Sequence, residues 1–444
     1  MEGIDTKEKS NEYKNFELMD SFRIVIYSIC GIFIFFLPIN LKGSTNTIIY
    51  HLYFFIQSRY IELIKLYLFI MVSIGSVLPI IKHKEKEYDA LSNIIKCIKP
   101  ISILFILIIF SKIEFRAYNN SSLLFIRDFL FKSVIILSIS SFFLPLITEY
   151  GLLEIFEAYF QKYTKKAFKL SGKCVLNVLV YLFVDIFSGM FMTSHLYKKG
   201  KLRQSEACIM ISCFSFTSIL NCYYLADELN LKSVAFTIFM VINLSLVVNF
   251  LMCRIWPLKV KKKSYLYKSS YKECSFKKDK FKNAIRRHVS TKKNNKLIFY
   301  MFENFKESFN IIMTILPNLV IIIFVGEFLI NNTGLIDTIG EITYPIIEMF
   351  NLPSKVQINE ALCLGMFNGG RYIELINNDI KDISGLIIFI ISIVQTISIS
   401  TNMVYVDSTD IPIKKMELLV IGIEKILISL TIIYLFYYLI IGNL

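Results

Sequence analysis

The chain has 444 residues, of which 55% are hydrophobic and 15% aromatic, with a formal net charge of +14 at pH 7. This composition leaves too few polar side chains to cover a soluble globule, so we expect a polytopic membrane protein. The nine cysteines form no CxxC pair, and the signatures GxSxG, GxxxxGK[ST] and HExxH are missing from the sequence. We therefore expect no disulfide framework, no metal site, no cofactor and no enzyme active site.

The positive charge is concentrated in one segment. Residues 254–296 contain 16 Lys and Arg against two acids, Glu273 and Asp279, and so hold the whole excess of the chain. Because basic loops between membrane spans are retained in the cytoplasm, this segment is predicted to be a cytoplasmic loop. Contact with anionic lipid headgroups is a further option. No recognisable nucleic-acid-binding module is present, so no nucleic-acid partner is expected.

The apolar runs predict the membrane spans in chain order. Segment 1–21 is polar and charged, which predicts a cytoplasmic amino-terminal segment without a cleavable signal peptide. Nine later runs are long enough to cross a bilayer. They lie at Phe22 to Pro38, Tyr60 to Ile81, Pro100 to Ile113, Asp128 to Ile147, Ser205 to Leu225, Ser233 to Trp256, Ser308 to Ile330, Gly385 to Val406 and Met416 to Ile441.

Two further apolar segments are interrupted at mid-length. Cys174 to Ser194 has Asp185, Ser188 and Gly189 at its centre and lysine clusters on both sides. Since basic flanks belong on one face of the membrane, the segment should enter and leave by the same face as a re-entrant hairpin. Ile358 to Ile376 is interrupted in a comparable way by Asn368, Gly369 and Gly370, followed by Arg371. It is predicted to be a second hairpin.

The second half of the chain repeats the plan of the first. An amphipathic helix precedes each interrupted segment, at Leu152 to Leu170 and at Leu335 to Leu352. The first helix is rich in Lys, whereas the second carries acids and no Lys or Arg, so opposite faces are expected. The predicted fold is therefore an all-α polytopic membrane protein with about nine transmembrane helices plus two re-entrant hairpins in an inverted-topology repeat. The predicted divisions are 1–21, 22–127 (amino-terminal transmembrane helices), 128–253 (first repeat and following span), 254–300 (basic loop), 301–415 (second repeat) and 416–444 (last helix).

The hairpin tips supply candidate binding residues. Asp185 is the acid deep in the first hairpin, where an intramembrane carboxylate suggests an ion or a polar solute group, or else a structural pairing. Ser188 and Gly189 would complete an unwound tip whose backbone can coordinate ions. The second hairpin offers Asn368, Gly369 and Gly370 at the matching place, followed by Arg371, which would face an anionic group or reach the outer interface.

The two spans that follow the hairpins each carry a polar stripe. Structural hydrogen bonding between helices explains most of these hydroxyls and amides. The amides of Asn221, Gln395 and Asn402 both donate and accept, which makes them additional ligand candidates. Glu327 is expected near the external interface, and Glu424 and Lys425 near the inner surface without a role.

Short motifs along the chain resemble those of the nucleoside-recognition (Gate) domain membrane proteins, most closely the YjiH-like branch. The resemblance is carried by residues of the first hairpin and the span after it, and by echoes at 35–51 and 392–395. It implies a repeated Gate domain similar to the core of concentrative nucleoside transporters. The chain departs from the pattern at Asn368 and Tyr50, where acids are expected. The main residues of the resemblance are Phe183, Asp185, Ser188, Gly189, Thr193, Ser194, Glu206, Ala207, Ser212, Phe214, Ser215 and Ser218.

The preferred hypothesis from the sequence is a secondary transporter or permease of the cell membrane for a small polar solute, with a nucleoside-like solute as one option. Coupling to Na+ or H+ and assembly as a homo-oligomer stay open. The alternative is a non-transporting membrane scaffold or assembly protein, for example a sporulation-related one. That alternative predicts that the basic loop carries the function.

Overall fold

The computed structural model describes residues 22–41, 43–81, 98–111, 120–215, 217–228, 233–267, 279–291, 296–350, 352, 354–367, 382–394 and 399–440. The described part is helical apart from loops, one turn of 3-10 helix and one two-stranded hairpin. The first helices and strands are α1 (Phe22–Phe36), β1 (Ile39–Leu41), β2 (Ser44–Asn46), α2 (Ile48–Arg59), α3 (Ile61–Ile81), α4 (Ile101–Phe110), α5 (Asn120–Phe143), α6 (Pro145–Thr148) and α7 (Leu152–Phe168). Those of the middle are α8 (Cys174–Phe183), α9 (Ile186–Lys198), α10 (Gln204–Cys213), α11 (Ile219–Glu228), α12 (Val234–Met252) and α13 (Lys280–Thr291). The last are α14 (Leu297–Asn332), α15 (Leu335–Glu348), α16 (Lys355–Phe367), α17 (Asp382–Val394), α18 (Ile399–Asp407) and α19 (Lys415–Ile440).

Long apolar helices dominate because a backbone in lipid must satisfy its own hydrogen bonds. Among the described residues, four helices are long and apolar enough to cross a membrane, at Ile61–Pro79, Val234–Met252, Leu297–Asn332 and Lys415–Tyr438. Shorter apolar helices lie at Phe22–Phe36, Ile101–Phe110 and Cys174–Phe183. The prediction of an all-helical polytopic membrane protein is confirmed.

The core is built around α14, which packs against α3, α4, α5 and α18. The crossing of α3 with α14 is close, because a Cβ atom on Gly75 would lie 1.8 Å from the carbonyl oxygen of Met313. The crossing with α5 is tied by a hydrogen bond of 2.7 Å from Ser141 to Ser308. These contacts hold α5 in place behind the interrupted hairpin.

The region between the first two predicted spans contains structure that the sequence did not predict. Strands β1 and β2 pair antiparallel, and α2 follows and packs against α5. His51 at the start of α2 bonds to the carbonyl oxygen of Ile39 at 2.8 Å, which fixes the strands to the helix. As a result Tyr50 is buried, with 2% of its surface exposed.

The polar span that follows the first interrupted segment is divided. The predicted span Ser205 to Leu225 consists of α10 and α11, separated by residues 214–218. Hydroxyl side chains such as Ser215 and Ser218 offer the backbone alternative hydrogen bonds, which favours a break there. Of the predicted span Gly385 to Val406, the structure describes α17 and α18, and residues 395–398 lie outside the described residues. The prediction of Ser205 to Leu225 as one continuous span is wrong, because residues 214, 215, 217 and 218 are not helical.

The predicted amphipathic helix is α7, but it does not divide into a buried apolar face and an exposed polar face. The face predicted to be apolar runs through Leu152, Phe156, Tyr159 and Tyr163, and of these only Leu152 is buried. Tyr159 and Tyr163 from the predicted apolar face are exposed, at 47% and 70%, whereas Glu154 and Glu157 are buried. The acids face α13, the helical part of the basic loop, where Arg287 lies 3.5 Å from Glu157. Outward aromatic side chains suit a helix at a lipid interface.

The described parts of the basic loop fold back onto the rest of the protein. Lys261 forms an ion pair of 2.6 Å with Glu417 at the start of α19. The backbone of Gln204, at the start of α10, donates to the carbonyl oxygen of Ser264 at 2.9 Å. On α13, His288 lies 3.7 Å from Glu154. Burial alone would raise the pKa of the Glu154 carboxyl, but His288 and Lys201 outweigh burial and hold that pKa below its ordinary value.

Candidate functional site

The interrupted hairpin is formed by α8 and α9, which pack against each other and reverse direction at Val184. Asp185 is in extended backbone conformation and caps the start of α9, where its carboxylate accepts a hydrogen bond of 3.0 Å from the backbone of Phe187. As a residue, Asp185 is only partly buried. Asp185 therefore has one structural bond and remains accessible to a second partner.

Ser188 and Gly189 do not form the unwound tip that the sequence predicted. Both lie within α9 and are buried, because capping by Asp185 starts the helix immediately after the tip. Ser188 pairs with the hydroxyl of Ser140 on α5 at 2.7 Å. Gly189 allows close packing inside the hairpin, since a Cβ atom there would lie 2.4 Å from the ring of Tyr181 on α8.

Substituting Gly189 by alanine should destabilise the hairpin, because the added methyl group overlaps the Tyr181 ring. Overpacking of this kind costs about 1 to 3 kcal/mol, and thermal unfolding of the purified protein would measure it. Gly422→Ala on α19 is the matched control, since a Cβ atom there meets nothing within 4 Å. Equal midpoints for the two variants would show that the α8–α9 contact is looser than the structure describes.

A lysine from α5 joins the hairpin tip to the divided span. The ammonium group of Lys132 donates to the side-chain oxygen of Asn221 on α11 at 2.9 Å and lies 5.5 Å from the centroid of the Tyr50 ring. Lys132 and Asp185 attract each other electrostatically without forming an ion pair in the structure. Tyr50 in turn bonds to Ser218 at 3.3 Å. The ammonium group of Lys132, the carboxylate of Asp185, the amide of Asn221 and the phenol of Tyr50 therefore lie in one region, between the hairpin tip and the start of α11.

The break between α10 and α11 is held from two other helices. The side-chain amide of Asn402 on α18 donates to the hydroxyl of Ser215 at 3.0 Å. Within the described residues, the oxygen of that amide has no hydrogen-bond partner although Asn402 is fully buried. Lys425 on α19 donates to the carbonyl oxygen of Cys213, the last residue of α10, at 3.4 Å. Specific contacts with α18 and α19 therefore stabilise the break between α10 and α11.

The base of the hairpin is fixed by a charged network. His195, at the end of α9 and 1% exposed, bonds to Glu307 on α14 at 2.7 Å and lies 3.7 Å from Glu149 between α6 and α7. Glu149 also lies 3.0 Å from Lys199 and 3.6 Å from Lys201. Burial alone would raise the pKa of the Glu149 carboxyl, but Lys201, His195 and Lys199 outweigh burial and hold it well below its ordinary value. Glu149 therefore stays ionised and anchors the hairpin.

The predicted site residues are only partly brought together. Lys132 bonds to Asn221 and attracts Asp185 electrostatically, and Asn402 bonds to Ser215 in the break. The predicted residues Asn368, Gly369, Gly370, Arg371 and Gln395 lie outside the described residues. Two side chains predicted to be interfacial are buried, Glu327 at 1% exposure and Lys425 at 2%.

A separate cavity of about 530 Å³ lies between α2, α3, α5 and α14. Its lining is almost entirely apolar and includes neither Asp185 nor Lys132. A cavity with so apolar a lining suits an apolar group better than a polar solute, whose polar groups would lack hydrogen-bond partners there. The polar region at the hairpin tip is therefore the better candidate for a functional site.

Comparison with known proteins gives distant likenesses. No family model matches the chain, so the YjiH-like assignment stays a prediction. An uncharacterized protein of Alkalihalophilus pseudofirmus is 20% identical over 297 residues, and the match spans 65% of this chain and 64% of that protein. An outward-facing structure of a variant of CNTnw, a concentrative nucleoside transporter, covers 83% of this chain and 89% of its own, with 11% identity and a TM-score of 0.43. At this score and identity the likeness establishes neither a family nor a function for this chain.

Proposed function

We propose that the protein is a secondary transporter for a small polar solute, which binds between the tip of the α8–α9 hairpin and the break between α10 and α11. The observation that carries the proposal is the opposite charges of Asp185 and Lys132, held near a discontinuous helix within a membrane-embedded bundle. Discontinuous helices at the centre of the membrane form the substrate and ion sites of secondary transporters.

The energetics of buried charge support a ligand at this place. Charged side chains within a membrane are costly and face a partner or a watery cavity. Lys132 and Asp185 attract each other but do not form the close ion pair that would neutralise both, and each is partly exposed. A solute carrying a hydrogen-bond donor and an acceptor would bridge them.

We assign the roles accordingly. Asp185 binds a donor or cationic group of the solute, and Lys132 with Asn221 binds an acceptor group. Tyr50 supplies an aromatic face beside the ammonium of Lys132. Gln395 and Asn402, together with Asn368, Gly369, Gly370 and Arg371 of the second interrupted segment, would form the opposite half of the site in an inverted repeat. Nucleosides are the first solutes to test because of the sequence resemblance.

Ligand-induced stabilisation is the test. Nucleosides, nucleobases, amino acids and short peptides are added to the detergent-solubilised protein, with and without Na+ and at two pH values. A solute that binds only the folded protein at 100 times its Kd should stabilise it by about 2.7 kcal/mol. We expect one chemical class to raise the unfolding midpoint. No shift with any solute would contradict the proposal.

The contacts of the basic loop disfavour the scaffold alternative. It predicts that the basic loop acts through a partner or lipid, yet the described parts of that loop contact α7, α10 and α19 of the same chain. Those contacts give the loop a structural role. Deleting 268–278, which lies between the docked parts, should therefore leave solute binding intact.

A further inference from the structure

Lys425 is a cation in the middle of a membrane helix. It is ten residues after Lys415, the first residue of α19, which places it about 15 Å along the helix. Its side chain is 2% exposed. A buried ammonium group so far from either end of a span is costly unless it meets negative charge. The structure places that charge at the end of α10.

The end of α10 supplies partial negative charge. The last carbonyl groups of a helix have no intrahelical partners, and the aligned peptide dipoles give that end about half a negative charge. The carbonyl oxygen of Cys213 accepts from Lys425 at 3.4 Å. In secondary transporters such helix ends within the membrane are where Na+ or H+ binds. Here a side chain of the protein occupies that position.

The charges around the break disfavour another cation. Lys425 lies at the end of α10, and Lys132 bonds to Asn221 at the beginning of α11. Asp185 attracts Lys132 electrostatically, and Glu424, which precedes Lys425 in α19, is only partly buried. Asp128, one turn before Lys132 in α5, is exposed and pairs with Arg127. The other acids of α10, α11 and α19 lie near the helix ends that are remote from the break: Glu206, Asp227, Glu228 and Glu417. Two ammonium groups therefore lie on either side of the break, and a Na+ ion between them would be repelled.

We propose that Lys425 is a resident cation that takes the place of a coupling Na+ at the carbonyl end of α10. The replacement of a coupling ion rests on the proposed transport function. The position of the Lys425 ammonium group in the folded protein does not. The folded protein should be indifferent to Na+. Removing the Lys425 ammonium should create a vacancy that a small cation can fill.

The experiment uses the full-length purified protein without any solute. Unfolding midpoints are measured in NaCl, KCl, methylammonium chloride and choline chloride at equal ionic strength. We expect one midpoint for the natural protein in all four salts. Lys425→Ala should unfold at least about 3 °C lower in choline chloride, and Na+ or methylammonium should restore part of that loss. Choline is too large to enter the space left by the side chain.

Two controls separate this role from ordinary packing. Lys415→Ala removes an exposed lysine from the same helix, and no salt-specific recovery is expected. Lys425→Met keeps the length of the side chain and fills the space, so it should lose the salt response. Specific stabilisation of the natural protein by Na+ would overturn the proposal, and so would an unchanged midpoint for Lys425→Ala.

If Lys425→Ala does not fold in choline chloride, the yield of folded protein replaces the midpoint as the readout: recovery in NaCl or methylammonium chloride is expected, and no recovery in either salt would overturn the proposal. The outcome is also independent of transport. Stabilisation by Na+ would refute the resident cation and leave the solute site intact, whereas failure of every solute to bind would refute transport and leave the resident cation intact.

Discussion

Replacing Asp185 by asparagine should strongly weaken solute binding and uptake while the protein still folds and inserts. Asparagine is as good a helix cap as aspartate, so the start of α9 is preserved. The negative charge that faces Lys132 is lost. Loss of one charged hydrogen bond to a ligand costs about 2 kcal/mol, which is about 30-fold in affinity. Titration of the stabilising solute against the variant measures this change.

Two further variants separate the effect of the lost helix cap from the effect of the lost negative charge. Asp185→Ala removes both, so it should lose solute binding and also about 1 kcal/mol of stability from the lost cap. Asp227→Ala removes an exposed acid near the end of α11 and should bind solute normally. Solute binding by Asp185→Asn at the affinity of the natural protein would exclude Asp185 from the site.

Replacing Glu149 by glutamine should loosen the base of the hairpin. The change leaves Lys199 and Lys201 without their anionic partner and weakens the contact with His195. A lost charged interaction at a mostly buried site reduces the free energy of unfolding by about 1 to 3 kcal/mol. Chemical or thermal unfolding at neutral pH measures it. Glu303→Gln, an exposed acid on α14, is the control and should be neutral.

Replacing Glu149 by glutamine should also change how the free energy of unfolding depends on pH. The pKa of Glu149 is well below its ordinary value in the folded protein, so its stabilisation is fully present above the unfolded pKa of about 4.3 and is lost as the pH falls through the lower folded value. The natural protein should therefore lose stability below about pH 4.3 more steeply than Glu149→Gln. Parallel pH profiles for the two proteins would contradict the anchoring role of Glu149.

Most of the helices could be predicted from apolar runs, and the α8–α9 hairpin from lysines on both sides of a segment with a central acid. The division between α10 and α11 could not be predicted in this way. Apolar side chains continue through residues 205–225 with the hydroxyls interspersed, so hydropathy alone does not show where the backbone leaves the helix.

The residues of the site were harder to predict than the helices, because a side chain's depth depends on where its helix begins. The fourth span was predicted from Asp128, which placed Lys132 near its end. Helix α5 begins at Asn120, so Lys132 lies in its interior and reaches Asn221. Lys425 was assigned to the inner surface although the start of its span was predicted to within one residue, at Met416 against Lys415 in the structure. An isolated Lys within a long apolar run was the signal that could have identified both.

The position of Tyr50 could not be predicted from the sequence either. The sequence indicated only that it replaces an acid expected from the resemblance. Its contact with Ser218 joins residues 168 positions apart, and its position depends on a strand pair and a helix that no hydrophobic pattern predicted. Contacts of such long range follow from tertiary packing rather than from local sequence.

Access to the break from both sides of the membrane is the most direct test of alternating access. Thr217, in the break and partly exposed, is replaced by cysteine, and right-side-out and inside-out vesicles are treated with a membrane-impermeant maleimide. The natural protein, with its own cysteines, provides the background. We predict labelling above background from both faces, reduced by the stabilising solute. Labelling from one face only, or from neither, would contradict a transporter with its site at the hairpin tip.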